Sequence, residues 1–261
     1  MKGVICAGGS GSRLSPLTEV TNKHLLAVYD KPMIFYPLIT LLETGVKDIM
    51  IVSSNEHTGA FLKLLGSGER FGANFSFKVQ EQSGGIAQAL GMCRTHAAGD
   101  SVAVILGDNI YEDNFSVPVS KFESGSTLFL KEVPDANRFG VAELDKDKII
   151  GIEEKPVRPK SNFAVTGFYI YDNSVFDVID GLEFSNRNEL EITDVNNHYI
   201  RLGNCSAHIL AGDWTDAGTF ESLYRANTLA REISLRDFNS NYTYEKGTLR
   251  RVSSIRSNIP V

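Results

Sequence analysis

The chain has 261 residues, 42% of them hydrophobic, which suffices for one sizeable core within the range of a single large α/β domain spanning 1–261. Its formal net charge of −6 excludes a protein that holds nucleic acid through a broad basic face, so an anionic ligand has to be captured locally. No run of about 18 apolar residues and no charged-then-apolar leader is present, so a cytoplasmic protein without membrane contact is expected. The three cysteines, Cys6, Cys93 and Cys205, have neither disulfide-framework nor zinc spacing and read as buried thiols.

In chain order, β-rich runs of strand length occur at 3–7, 48–53, 75–79, 101–106 and 126–131. Helix-length segments separate them at 33–43, 56–65 and 85–96, the last with Ile86, Leu90 and Cys93 on one face. Strand alternating with helix predicts a mostly parallel sheet covered by helices. Beyond about residue 140 the pattern shifts to shorter strands at 141–144, 149–153 and 166–171, a helix over 192–201 with Ile192, Val195 and Tyr199 inward, and a strand at 207–210. A helix over 220–231 is expected to bury Phe220, Leu223 and Tyr224, and a polar, weakly periodic tail occupies about 239–261.

The first strand runs directly into Ala7-Gly8-Gly9-Ser10-Gly11-Ser12-Arg13-Leu14, a backbone rich in unhindered N–H groups at the C-terminal edge of a sheet, where open α/β folds bind ligands. Three glycines admit a close-lying phosphate and Arg13 adds charge-assisted hydrogen bonds, so the stretch is a candidate phosphate loop rather than a plain turn. It is neither of the two commonest ones. The Gly-Lys-Ser/Thr ending of a P-loop is replaced by Gly11-Ser12-Arg13, and the third small residue of the dinucleotide fingerprint by Leu14.

This opening, continued by Pro16, Thr18 and Lys23, resembles the signature of nucleotidyltransferases acting on sugar phosphates. The likeness extends through Asp30-Lys31-Pro32, Leu106-Gly107-Asp108-Asn109, Glu153-Glu154-Lys155-Pro156, Ala164-Val165-Thr166-Gly167, Glu189-Leu190-Glu191-Ile192-Thr193-Asp194 and Trp214-Thr215-Asp216-Ala217-Gly218-Thr219, covering roughly residues 1–232. Two positions depart from the pattern: Ala27 stands where the family usually has proline, and Gly84 where it often has an acidic residue.

The resemblance implies a Rossmann-like, GT-A-like α/β nucleotidyltransferase fold, with a mostly parallel central sheet flanked by helices and α+β sugar-binding additions. The nucleotide-binding part would cover about 1–135 and the sugar-phosphate part about 136–232. It implies in-line attack of a sugar phosphate oxygen on the α-phosphorus of dTTP, or UTP as the alternative, with glucose-1-phosphate as acceptor and dTDP-glucose and pyrophosphate as products. It also implies Mg²⁺ as cofactor and a symmetric homo-oligomer. Arg13 and Lys23 match the positions that grip the triphosphate, with Gly8, Gly9, Ser10, Gly11 and Ser12 around it, and Asp108 and Asp216 match the metal-binding aspartates. Gln80 and Gly85 fall where the family reads the base. Gly140, Glu154, Lys155, Val165 and Arg187 fall where it holds the sugar phosphate.

These residue types suit the chemistry. Two polyanions must be brought together, so cations and hard-oxygen metal ligands carry the work. The attacking phosphate oxygen is already ionised and no general base is needed, which makes His24, beside Lys23, a structural residue. The same reaction on UTP or on another sugar-1-phosphate stays open. A non-catalytic sugar-nucleotide-binding regulator is the reading from another class; it would have lost a catalytic group, whereas Arg13, Lys23, Asp108 and Asp216 are all present.

Overall fold

The computed structural model describes residues 1–146, 148–236, 242–245 and 248–251. The first half alternates strand and helix: β1 (Lys2–Ala7), a short ribbon of β2 (Ala27–Val28) and β3 (Lys31–Pro32), α1 (Phe35–Glu43), β4 (Asp48–Ser54), α2 (Thr58–Leu65), β5 (Asn74–Gln80), α3 (Ile86–Gly91), α4 (Arg94–Ala97) and β6 (Val102–Leu106). Strands β6, β1, β4 and β5 lie side by side and parallel, with Ile5 between Ile51 and Ile105. Parallel strands covered on both faces need apolar residues on both, which explains the apolar runs of β1, β4 and β6, whereas β5 at the edge alternates. Ile5, Ile51 and Ile105 pack with Phe35, Leu38 and Phe61 of α1 and α2. Val4, Val52 and Val104 face the opposite layer, with Leu90 and Cys93.

The second half comprises β7 (Asn109–Tyr111), α5 (Ser116–Ser120), β8 (Ser126–Glu132), β9 (Gly140–Asp145), β10 (Lys148–Glu154), β11 (Phe163–Tyr171), α6 (Val175–Asp180), α7 (Ile192–Arg201), β12 (Cys205–Ile209), β13 (Trp214–Asp216), α8 (Phe220–Arg236), β14 (Tyr242–Glu245) and β15 (Thr248–Arg251). Strand β11 joins the halves: it pairs antiparallel with β6 and β9 along one edge and with β8 along the other, where the register shifts between Val165 and Tyr169. A parallel centre thus carries antiparallel additions within one nine-stranded sheet, the α/β architecture expected. Helix α7 buries Ile192, Val195 and Tyr199 as its periodicity predicts, and each large apolar side chain so covered contributes about 1.5–3 kcal/mol.

Four local expectations need correction. The segment 85–96 is two short helices, because the Cys93 N–H closes a tight turn onto the Leu90 carbonyl at 2.8 Å; Leu90, Cys93 and Ala97 all remain fully buried across the break. On α8, Phe220 and Tyr224 point outward, 49% and 73% exposed. The turn between Thr219 and Ser222, each side chain accepting the other's backbone N–H, sets the helix rotation so that Ser222, Ala226 and Ala230 face inward, small residues that let α8 lie close to β2 and β13. Cys93 is buried, but Cys6 and Cys205 are only half-buried, the first because it borders a cavity and the second because β12 is an edge strand. Within the expected tail at 239–261, β14 and β15 form an antiparallel ladder from Tyr242 opposite Arg251 to Glu245 opposite Thr248. The rest of that tail lies outside the described residues.

Candidate functional site

Parallel pairing of β1 with β6 sets Cys6 opposite Leu106, so the glycine loop after β1 and Asp108 after β6 leave the sheet at one edge. A second aspartate arrives from far along the chain. The three-residue ladder of β7 and β13 sets Asp216 opposite Asn109, and the Ala217 N–H donates to the Asp108 carbonyl at 2.9 Å. The two carboxylates and Arg13 converge on Gly218: a Cβ there would lie 2.9 Å from Asp216 Oδ2, 3.2 Å from Arg13 Nη2 and 3.6 Å from Asp108 Oδ2, so glycine keeps this junction open.

Each aspartate has its own cation. Lys23 Nζ lies 2.5 Å from Asp108 Oδ2, and Asn109 Nδ2 donates to the other oxygen at 2.9 Å. Burial pushes the Asp108 carboxyl up, but the Lys23 charge together with the hydrogen bonds from Lys23 and Asn109 outweighs it and holds the group well below the usual carboxylate range. Arg138 Nη2 donates to both oxygens of Asp216 at 3.0 and 2.9 Å, while its Nη1 is anchored on Asp135 at 2.9 Å. His24 is buried with Nδ1 2.7 Å from Asn22 Oδ1; burial, and then the Lys23 charge, push it down to about 3, so it stays neutral and structural. Two carboxylates facing three cations can offer positive charge to an anion and hard oxygens to a cation. Among the described residues no group of three or more His, Cys, Asp or Glu could enclose a metal, but a divalent ion that shares its shell with phosphates needs only one or two carboxylates.

Away from this cluster the cavity is bordered by a second set of paired carboxylates and cations. Glu154 ends β10 opposite Gly140 at the start of β9. Its Oε2 accepts from Thr193 Oγ1 at 2.6 Å, and its Oε1 lies 3.3 Å from both Lys155 Nζ and Arg187 Nη2. Arg187 is held by Glu189 at 3.1 Å and by Glu191 at 2.6 Å, Glu191 in turn accepting from Ser185 Oγ at 2.6 Å. Burial opposes ionisation of Glu191, and the bonds from Arg187 and Ser185 overcome it, holding its carboxyl below the usual range. At the third corner, Gln80 ends β5 and Gly85 precedes α3.

A cavity of about 340 Å³, within the ~300–1,000 Å³ of small-molecule sites, joins these three corners. Gly8, Gly9, Arg13, Lys23, Gln80, Gly85, Asp108, Gly140, Glu154, Lys155, Val165, Arg187 and Asp216 all border it; Ser10, Gly11 and Ser12 do not, lying on the outer turn of the loop. The sequence reading missed Asn109 and Arg138 as site residues. Asn109 is buried, and its Oδ1 receives Trp214 Nε1 at 2.7 Å, the Gly167 N–H at 3.1 Å and the Tyr111 hydroxyl at 3.2 Å, while its amide nitrogen steers Asp108. Adjacency to Asp108 was the available signal for Asn109. Arg138 carried none beyond a cation two residues before a strand-opening glycine, because its partner Asp216 is 78 residues away.

Comparison with known proteins bears directly on this geometry. The nucleotidyl transferase family model matches residues 2–232. The glucose-1-phosphate thymidylyltransferase of Mycolicibacterium smegmatis is 45% identical over 242 residues, 90% of this chain and 84% of that protein. The enzyme of the same name from Neisseria meningitidis is 42% identical over 240 residues, 89% of this chain and 83% of its own. Among solved structures, a candidate glucose-1-phosphate thymidylyltransferase from Bacillus anthracis in complex with a sucrose superposes with a TM-score of 0.86 at 51% identity, over 89% of this chain and 96% of that one. UDP-glucose pyrophosphorylase complexed with UDP-glucose shares the fold at a TM-score of 0.78 and 23% identity, over 88% of this chain and 98% of its own. With a glycine loop, paired aspartates and a carboxylate–arginine corner bordering one cavity, and with a family match running from the first strand into the last helix, the chain belongs to the nucleotidyl transferase family.

Proposed function

We propose that this chain transfers a thymidylyl group from dTTP to glucose-1-phosphate, giving dTDP-glucose and pyrophosphate. The observation that carries the reading is the convergence of Arg13, Lys23, Asp108 and Asp216 at one end of a cavity whose other corners hold Gln80 and the Glu154–Arg187 pair. The names of relatives more than 40% identical over nine-tenths of the chain favour the same reaction. In this reading, residues 1–135 serve the nucleotide and 136–232 the sugar phosphate.

An oxygen of the glucose-1-phosphate phosphate attacks the α-phosphorus; the new P–O bond forms as the bond from the α-phosphorus to the bridging oxygen breaks, and pyrophosphate carries away the electron pair. No proton moves, which agrees with a neutral, buried His24. The obstacle is repulsion between the two anions, and Arg13 and Lys23 lower it by lying where charge builds on the α-phosphate and leaving group. Asp108 and Asp216 offer the hard oxygens that suit Mg²⁺, which when bound would neutralise phosphate charge. Asn109 and Arg138 keep those carboxylates oriented until the nucleotide arrives. Arg187 attracts the acceptor phosphate, and Glu154, with Thr193 fixing its second oxygen, accepts from sugar hydroxyls.

The test is incubation of the purified protein with Mg²⁺, glucose-1-phosphate and each of dTTP, UTP, CTP, ATP and GTP, with products separated by anion exchange and pyrophosphate followed in parallel. Asp108→Asn and Asp216→Asn are the controls. A dTDP-glucose peak that both controls lose is expected. Product with a different nucleotide only, or none with any, would overturn the assignment.

A further inference from the structure

Gln80 borders the cavity beside the glycine loop, and what it offers a ligand depends on which way its amide points. Carbonyl oxygen and amino group have similar shapes, so the direction must be imposed by neighbours. Here the chain of constraint begins at a backbone group that can only donate. The Gly84 N–H donates to Gln88 Oε1 at 3.1 Å, which settles the orientation of the Gln88 amide. The same Oε1 then accepts from Gln80 Nε2 at 2.7 Å, and the Gly85 carbonyl lies at 3.4 Å from that nitrogen. With its amino group so engaged, Gln80 is left with Oε1 on the side of Gly8, where a Cβ would lie 2.4 Å from it.

Gln88 does not border the cavity; it is half-buried behind Gln80 on α3. It reaches its place because residue 84 has no side chain: a Cβ on Gly84 would lie 2.3 Å from Gln88 Nε2 and 2.5 Å from its Cδ. Gly84 and Gln88 therefore form one device, four residues apart.

We propose that Gln88, seated against Gly84, is a positioning residue that locks the Gln80 amide with its carbonyl oxygen toward the nucleobase, so that the site takes a base presenting a ring N–H donor and rejects one presenting a ring-nitrogen acceptor. Thymine and uracil carry that donor at N3, flanked by carbonyls. Cytosine carries an acceptor at N3, and a carbonyl oxygen aimed at it leaves two acceptors facing each other. Discrimination thus comes from an amide that is not free to flip. The inference rests on the thymidylyl-transfer reading for the identity of the ligand and adds the residue pair that sets base choice.

The test measures Kd of dTTP and of dCTP by calorimetry for the wild-type protein, Gln88→Met, Gly84→Ala and Gln88→Glu, with turnover toward glucose-1-phosphate assayed separately and folding checked by thermal melting. Gln88→Met removes both acceptor contacts at similar volume, and Gly84→Ala displaces the Gln88 side chain by a different route. Each is expected to reduce the dTTP-over-dCTP preference about tenfold, the worth of one hydrogen bond with good geometry. Gln88→Glu keeps an oxygen for both donors and is expected to retain the preference. A merely structural Gln88 would weaken both nucleotides alike. An unchanged ratio in whichever of Gln88→Met and Gly84→Ala folds, or a wild-type protein that does not prefer dTTP to dCTP, would overturn the proposal. Normal nucleotide preference without turnover would instead count against the transferase reading and leave this one standing.

Discussion

Replacing Lys23 by methionine tests the electrostatic argument most directly. Lys23 Nζ and Asp108 Oδ2 are 2.5 Å apart with side chains only 13% and 11% exposed, so the variant leaves a carboxylate out of water with one hydrogen bond from Asn109 and no adjoining cation of its own. Stranding one member of a buried pair costs about 3–5 kcal/mol; Arg13, across Gly218, supplies partial compensation, so the expected loss at pH 7 is about 3 kcal/mol. The pH dependence follows from the sign of the shift. In the wild type the folded Asp108 carboxyl is depressed, so its contribution is fully present above its unfolded value of about 3.9 and is lost as pH falls through the lower folded value. In Lys23→Met burial is opposed only by the Asn109 bond and the more distant Arg13, so the folded value rises and the penalty fades as the pH drops and the group protonates. Urea unfolding at pH 7 and pH 4 should therefore give a wild-type minus variant difference that shrinks on acidification, and Lys23→Met combined with Asp108→Asn should recover most of the loss. A pH-independent difference, or a double variant as unstable as the single one, would refute the reasoning.

Three further outcomes are expected. Arg138→Met frees Asp216, and kcat/KM should fall at least ~100-fold, the scale of one lost charge-stabilising contact, with a drop in Tm seen by calorimetry. Arg187→Met and Glu154→Gln should each raise KM for glucose-1-phosphate about tenfold or more while leaving KM for dTTP within about twofold; equal effects on both substrates in steady-state kinetics would contradict the division of the cavity. Asp172, below its usual value because bonds from Ser174, the Gly125 N–H and Tyr199 outweigh its burial, ties β11 to α7. Asp172→Asn should cost about 1–2 kcal/mol at pH 7, and the deficit should narrow as pH falls below about 4 toward the folded value, as read by denaturant titration.

Much of the molecule was legible in one dimension. Strands β1, β4 and β6 are apolar runs because both faces of a parallel centre are covered, β5 alternates because it is the edge strand, and α7 has one apolar stripe because one side is covered. The glycine loop could be located because three glycines and an arginine directly after a strand serve few other purposes. Those signals are local: a few neighbouring residues state their own burial or backbone need. The rotation of α8 could not be read in this way. Phe220 and Tyr224 look like core residues by composition, yet the inward stripe is Ser222, Ala226 and Ala230, because the partner surface demands close approach more than apolar bulk. Likewise the β7–β13 ladder is only three residues long on each side and joins segments some hundred residues apart, too short to announce itself as strand. That ladder brings Asp216 to Asp108, and with it Arg138, Trp214 and Asn109 into a single hydrogen-bonded set. The sequence by itself determined which residues carry charge and where the long strands and helices run, since these depend on composition over a few residues. Which carboxylate faces which cation, and which way each amide points, was decided only when the chain closed, because a buried charge or polar group takes its partner from whatever the fold brings within about 3 Å.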